Sequence, residues 1–148
     1  MGLAAVLCAG AVGVSSCGGS SQPSATAFRS GFETDRAQFH RLSLDLESAI
    51  AGAHTKTNAQ LAAELSALAA RSATQAARLS KLDPPAKYKP DVQKLVAGFR
   101  AVAADLTRIS QAATTGDAKV ASSATRSLIT HAKTVRTADL DVSNSLGG

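Results

Sequence analysis

Two side chains of this 148-residue sequence could act as an acid, a base or an ion-pair partner inside the fold. Asp35 and His131 each interrupt a periodic run of apolar residues. If these two runs form antiparallel helices, about six residues, or roughly 9 Å along the axis, separate the two side chains. We therefore do not expect a catalytic dyad. A buried carboxylate needs a partner, and the same pairing predicts a buried ion pair between Asp35 and Arg136 that fixes the register of the two helices.

Other arrangements typical of enzymes and metal proteins are absent from the sequence. There is no Gly-x-Ser-x-Gly and no glycine-rich phosphate loop. Helical bundles bind metals through Glu-x-x-His pairs, which this sequence lacks, and its histidines are not spaced four residues apart. It also lacks the Cys-x-x-Cys-His of attached haem. We predict that the protein is not an enzyme, has no catalytic residue, and binds no metal or cofactor.

A glycine inside a predicted helix suggests a second kind of site. Gly98 costs its helix about 1 kcal/mol relative to alanine, and the close approach of a neighbouring helix would explain it. The alternative is a ligand niche between helices, with Gly98 and His131 as candidate contacts. The small residues Ala113, Ala121 and Ala124 would lie beside such a niche. A structural role at the edge of the core is the other interpretation of His131.

The elements that must position these residues are helices. Apolar residues recur at alternating steps of four and three in four runs, which predict helices over about 27–51, 57–82, 89–114 and 117–145. The abundance of alanine supports this assignment. Because the connections are short, the predicted fold is an all-α, up-down-up-down antiparallel four-helix bundle. A long three-helix bundle with a loose first helix is the alternative.

Residues typical of helix ends separate the four runs. Ser30 with Glu33, and Thr57 with Gln60, have the spacing of capping boxes at helix starts. Proline and glycine mark the expected helix boundaries, at both starts and ends. These are Gly52 in a left-handed conformation after the first helix, Asp83-Pro84-Pro85 after the second, Pro90-Asp91 at the start of the third, and Gly116 and Asp117 between the third and fourth.

The N-terminal segment has a different character. Residues 1–14 carry no charge, and the run is too short to cross a bilayer core of about 30 Å. The run ends in Val14-Ser15-Ser16-Cys17, and a Gly/Ser-rich stretch comes after it. This arrangement resembles the lipobox of bacterial lipoproteins. The resemblance implies signal cleavage between Ser16 and Cys17, a diacylglycerol on the Cys17 thiol, and a mature protein anchored on the outer face of a membrane.

The domain organisation follows from this resemblance. Residues 1–16 form a signal peptide, residues 17–26 the lipidated cysteine and a flexible linker, and residues 27–146 the bundle. Cys8 would be removed with the signal. A signal normally begins with Lys or Arg, whereas this sequence begins with Met-Gly-Leu, so we expect the true start codon to lie upstream. An ordinary secretory signal is the alternative to the lipobox.

A second resemblance covers Leu79 to Ala118. The pattern Leu-x-x-Leu-x-Pro-Pro, a long helix and Ala-x-x-Gly-Asp-x-x-x-Ala resembles small, functionally uncharacterised envelope lipoproteins of high-GC Gram-positive bacteria. This resemblance implies a helical bundle and brings no catalytic residues with it.

Charge limits the choice of partners. The net charge of +5 suits anionic lipid headgroups or envelope polymers. We expect no nucleic-acid partner, because the basic residues are scattered and aromatic residues are few. The predicted function is a membrane-anchored binding or interaction module of the cell envelope, docking an envelope protein or an anionic surface. The alternatives are a small-ligand carrier with a pocket between helices and a structural envelope protein without a specific ligand.

Overall fold

The computed structural model describes residues 24–147, which form an all-α, up-down-up-down antiparallel four-helix bundle, as predicted. The helices are α1 (Ala25–Ala51), α2 (Asn58–Leu79), α3 (Lys89–Thr115) and α4 (Ala118–Gly147). Single 3-10 turns occupy Ala53–Thr55 and Ala86–Tyr88 in the first two connections. The predicted signal peptide, its cleavage site at Ser16 and the lipidation site Cys17 lie outside the described residues.

Two of the predicted helix boundaries are confirmed in atomic detail. The Thr57 hydroxyl accepts a hydrogen bond from the Gln60 amide at 3.3 Å, and the Gln60 side chain accepts one from the Thr57 amide at 3.0 Å, which completes the capping box of α2. Gly116 ends α3 in the left-handed region, with φ of 72°. The Asp117 carboxylate then caps α4 by accepting from the Val120 amide at 2.9 Å.

The predicted start of α1 is wrong, whereas its predicted end at residue 51 is confirmed and only the conformation of Gly52 differs. The helix begins earlier than expected, because the Ser24 hydroxyl accepts a hydrogen bond from the Ala27 amide at 3.1 Å and acts as the N-cap. Ser30 therefore lies inside α1, and Ser30 with Glu33 is not a capping box. Gly52 does end the helix, but with φ of −84°. The left-handed conformation is not needed there, since the chain continues directly into a 3-10 turn.

The end of α2 also differs from the prediction. The helix stops at Leu79, three residues before the expected Leu82. Leu82 leaves the helical path and packs against Gly31 of α1, where an added Cβ would lie 3.0 Å from the Leu82 side chain. Proline disfavours the helical conformation in the residue before it, so the Pro84-Pro85 pair stops the chain from continuing as helix.

Tyr88 fixes the α2–α3 connection to the ends of two other helices. Its ring is buried and stacks on Phe28 near the start of α1, with ring centroids 5.4 Å apart. Its hydroxyl donates to the Ser145 carbonyl near the end of α4 at 3.3 Å. This connection is a rigid joint, and it holds one end of the bundle together.

Helix α1 is packed differently from the other three. Helix α3 approaches both α2 and α4 closely along its length, whereas α1 approaches α2 less closely and has no comparable close approach to α3 or α4. Gly98 shows how close α3 and α4 come, since an added Cβ there would lie 2.6 Å from Val135 Cγ2. Helix α1 instead places Phe28, Phe32 and Phe39 towards the core. Side-chain size sets interaxial distance, so these rings keep α1 further away.

Candidate functional site

The separation of α1 from α4 leaves an open groove of about 990 Å³. Its floor is formed by α3 and by one residue of α2, and its two walls by α1 and α4. The floor and walls are mainly apolar. The apolar lining consists of Phe39, Leu42 and Leu46 of α1, Phe99, Val102 and Leu106 of α3, and Val135 and Leu140 of α4.

Polar contacts join α1 to α4 only near the N-terminal half of α1, among the residues described. Arg36 Nε donates to Asp139 Oδ2 at 3.2 Å. The Arg29 guanidinium donates to the Leu146 carbonyl. This contact lies seven residues further along both helices, so it fits the same antiparallel register. Beyond Arg36, the groove extends along α1 as far as Glu47. The mouth of the groove is therefore fixed at one end and crossed by no such contact at the other.

The interior of the groove offers few polar groups to a ligand, and Ser43, which is half-buried on α1, is one of them. Ser72 is fully buried in the floor, and its hydroxyl already donates to the Leu68 carbonyl at 2.9 Å. The carboxylate of Asp139 accepts from Arg36. Within residues 24–147, every buried side-chain nitrogen or oxygen has a hydrogen-bond partner. A molecule lying on this floor needs apolar atoms, since a buried polar atom without a partner is costly.

The mouth of the groove is charged. Lys133 and Arg136 are exposed on the α4 side, and in the part of the chain that the structure describes neither forms an ion pair. In the register set by Arg36 and Asp139, both cations lie close to the level of His40 on α1. Glu33 and Glu47 lie towards the two ends. The middle of the mouth is therefore positive.

Asp35 and Arg136 do not form the predicted ion pair. Asp35 is buried as expected, but it faces α2, where the Gln75 amide donates to its main-chain carbonyl at 2.9 Å. Arg136 is exposed at the groove mouth. The pair that joins α1 and α4 is Arg36–Asp139. Neighbouring residues of a helix point about 100° apart. Arg36, the residue next to Asp35, is therefore the one that faces α4, and its partner there is Asp139.

Gly98 and His131 do not line the groove. The space at Gly98 is filled by Val135, so the structure supports the close-approach interpretation of this glycine. His131 is half-exposed, and its Nδ1 lies 2.6 Å from Oδ2 of the buried Asp105 on α3. Asp105 was not among the residues predicted from sequence. Its position three residues after Val102, on the core side of α3, was the available signal.

Burial raises the pKa of the Asp35 carboxyl above its ordinary value of 3.8, and Arg78 and Gln75 oppose the shift. The folded state therefore binds this proton more tightly than the unfolded state, and the ionised carboxylate costs stability at neutral pH. We expect Asp35→Asn to be more stable than the unmodified protein at neutral pH. The difference should shrink as the pH falls through the raised pKa of the folded state and disappear well below pH 3.8, where the carboxyl is largely protonated in both states. Urea unfolding at both pH values measures it.

The control for this substitution is Asp45→Asn. Asp45 is exposed and pairs with Arg71 at 2.6 Å, and an exposed pair is worth at most about 1 kcal/mol. Loss of that pair should slightly destabilise the protein at neutral pH. A clear loss of stability in Asp35→Asn at neutral pH would contradict the burial argument.

The described residues offer little else that could bind a partner through specific chemistry. Between residues 24 and 147, no group of three His, Cys, Asp or Glu side chains is placed to hold a metal ion. None of the four described helices contains a stretch long and apolar enough to span a membrane.

Comparison with protein-family models, with curated proteins and with solved structures found no match.

Proposed function

We propose that this protein is a lipid-anchored binding module of the bacterial envelope, and that the groove between α1 and α4 carries a small apolar ligand. The observation that supports the proposal is the groove itself. Its volume of about 990 Å³ lies at the upper end of the range typical of small-molecule sites, about 300–1,000 Å³. The mainly apolar lining also fits a ligand site: its one buried charged group, Asp139, is paired with Arg36, and the other charged groups lie at the mouth.

The groove is long as well as apolar. From Glu33 to Glu47 it follows α1 for about 21 Å, at 1.5 Å per residue. A purely structural role would give no reason for an open apolar groove, because water contact with apolar surface is unfavourable.

The proposed location rests on the sequence. The resemblance of Val14-Ser15-Ser16-Cys17 to a lipobox supports cleavage before Cys17 and a diacylglycerol on its thiol. Six residues then separate Cys17 from Ser24, the N-cap of α1. Fully extended, this linker spans at most about 20–25 Å. The proposed anchor would thus hold the bundle close to the membrane surface.

We expect the purified protein to bind a neutral apolar dye such as Nile red, and Ala132→Trp to weaken this binding. Ala132 is half-buried and lines the groove, so an indole ring there would occupy the ligand space. Dye fluorescence titrations should show a dissociation constant at least about tenfold higher for this variant, a loss of about 1.4 kcal/mol of binding free energy.

Ala104→Trp is the matched control, because Ala104 is exposed on α3 and does not line the groove. It should bind the dye as the unmodified protein does. Circular dichroism establishes that both variants keep their helical content. The proposal fails if the unmodified protein does not bind the dye, or if Ala132→Trp binds it equally well.

A further inference from the structure

The groove combines an apolar floor with a positive mouth, and together these features indicate a class of ligand. We propose that the groove binds a single-chain amphiphile with an anionic headgroup, such as a long-chain fatty acid. The alkyl chain would lie along the floor, and the carboxylate would sit at the mouth beside Lys133 and Arg136. This inference rests on the proposed function, because it requires that the groove takes a small ligand.

The floor specifies the tail of the ligand. Phe99, Val102 and Leu106 form its base, and its one polar residue, Ser72, has its hydroxyl hydrogen-bonded within α2. The buried part of the ligand therefore needs no donor or acceptor. The groove is long and follows the axis of α1, which suits an extended chain better than a compact ring system.

The mouth specifies the headgroup. Arg36 is already paired with Asp139, which leaves Lys133 and Arg136 as the cations available to a ligand at the mouth, among the residues that the structure describes. Long basic side chains can lay their methylene stems along an apolar surface and keep the charge in water. An anion bound at the mouth would meet both charges at once.

The acidic residues of the rim do not cancel this attraction. In the register set by Arg36 and Asp139, Glu33 lies about six residues from the level of Arg136 and Glu47 about five from that of Lys133, roughly 9 and 7.5 Å along the helix axis. At an ionic strength near 0.1 M the Debye length is about 10 Å, so screening weakens their effect, and the two cations are the charges nearest to a headgroup at the middle of the mouth. A carboxylate there is favoured over a neutral or cationic headgroup.

The experiment compares two probes that share a chain and differ in headgroup, tetradecanoate and 1-tetradecanol. Dissociation constants are measured by displacement of Nile red from the purified protein. We expect the protein to bind tetradecanoate about tenfold more tightly, the effect of two partly exposed ion pairs. The double variant Lys133→Glu/Arg136→Glu should lose this preference while its affinity for tetradecanol is unchanged. High salt should reduce the preference in the unmodified protein.

Lys119→Glu/Arg126→Glu is the matched control. It makes the same change in net charge at exposed positions of α4 that do not line the groove, and it should keep the preference for the carboxylate. Equal affinity for the two probes in the unmodified protein would overturn the inference and leave the carrier function standing. Binding of neither probe, with no dye bound, would overturn both. A dimer in native mass spectra that excludes both probes would assign the groove to a second copy of the chain and overturn the inference.

Discussion

Phe99→Ala should lower the free energy of unfolding by about 3–5 kcal/mol, the usual cost of removing a buried phenylalanine. Phe99 is 2% exposed. Its ring meets Phe39 of α1 edge to face, with the centroids 5.1 Å apart. Total stabilities of single domains are only about 5–15 kcal/mol, so this is a large fraction. Urea unfolding should show an unchanged slope with a lower midpoint, and the melting temperature should fall by roughly 10–20 °C.

Two other substitutions show whether the loss comes from packing at the junction of α1 and α3. Phe39→Ala removes the other ring of the pair, but Phe39 is half-buried on the more distant helix, so it should cost less than Phe99→Ala. Ile129→Ala removes a side chain that is 64% exposed, and it should change stability by no more than about 0.5 kcal/mol. A loss below 1 kcal/mol in Phe99→Ala would contradict the packing described for this ring.

The position of Phe99 also links stability to the proposed ligand. The ring lies in the floor of the groove, so its removal would enlarge the apolar space as well as weaken the core. A bound amphiphile stabilises the folded state by mass action. The stabilising effect of tetradecanoate on the unmodified protein therefore provides a second measurement of the same site, independent of dye displacement.

The features of the fold that were predictable from sequence depend on neighbouring residues. A capping box such as Thr57 with Gln60, a glycine stop such as Gly116, and an apolar period of three and four are all read within a few residues. The errors at Ser30 and Leu82 have different origins. Ser24 offered an earlier cap than Ser30, whereas Leu82, close before Pro84-Pro85, leaves the helix and packs against the distant Gly31.

The site was less predictable, because it depends on how α1 and α4 sit relative to each other. The burial of Asp35 followed from its place in the apolar seam, but its partner did not, since register is set by packing along the whole interface. The groove likewise arises from a difference in side-chain size between α1, which carries three phenylalanines, and the closely packed α3–α4 pair around Gly98. No short motif encodes that difference.

Cys17→Ser should move the protein from the membrane fraction to the soluble fraction of its host cells. We propose that the Cys17 thiol carries a diacylglycerol, and burial in a membrane contributes about 0.8 kcal/mol for each buried CH₂. One acyl chain gives only marginal binding, with an association constant of about 10⁴ M⁻¹, whereas two chains give a stable anchor. Serine has no thiol to alkylate, so the change should remove both chains at once. Cell fractionation and intact-mass spectrometry measure the two consequences.

Cys8→Ser is the natural control, because it makes the same chemical change nine residues earlier, inside the segment that the proposed cleavage removes. Its product should have the same mass as the processed unmodified protein and stay in the membrane fraction. An ordinary secretory signal predicts a different pattern, in which no variant carries a lipid mass and all are released. If Cys17→Ser stays membrane-bound, the anchor lies elsewhere. The proposed binding of an amphiphile in the groove would remain testable, because the dye and fatty-acid titrations do not depend on the anchor.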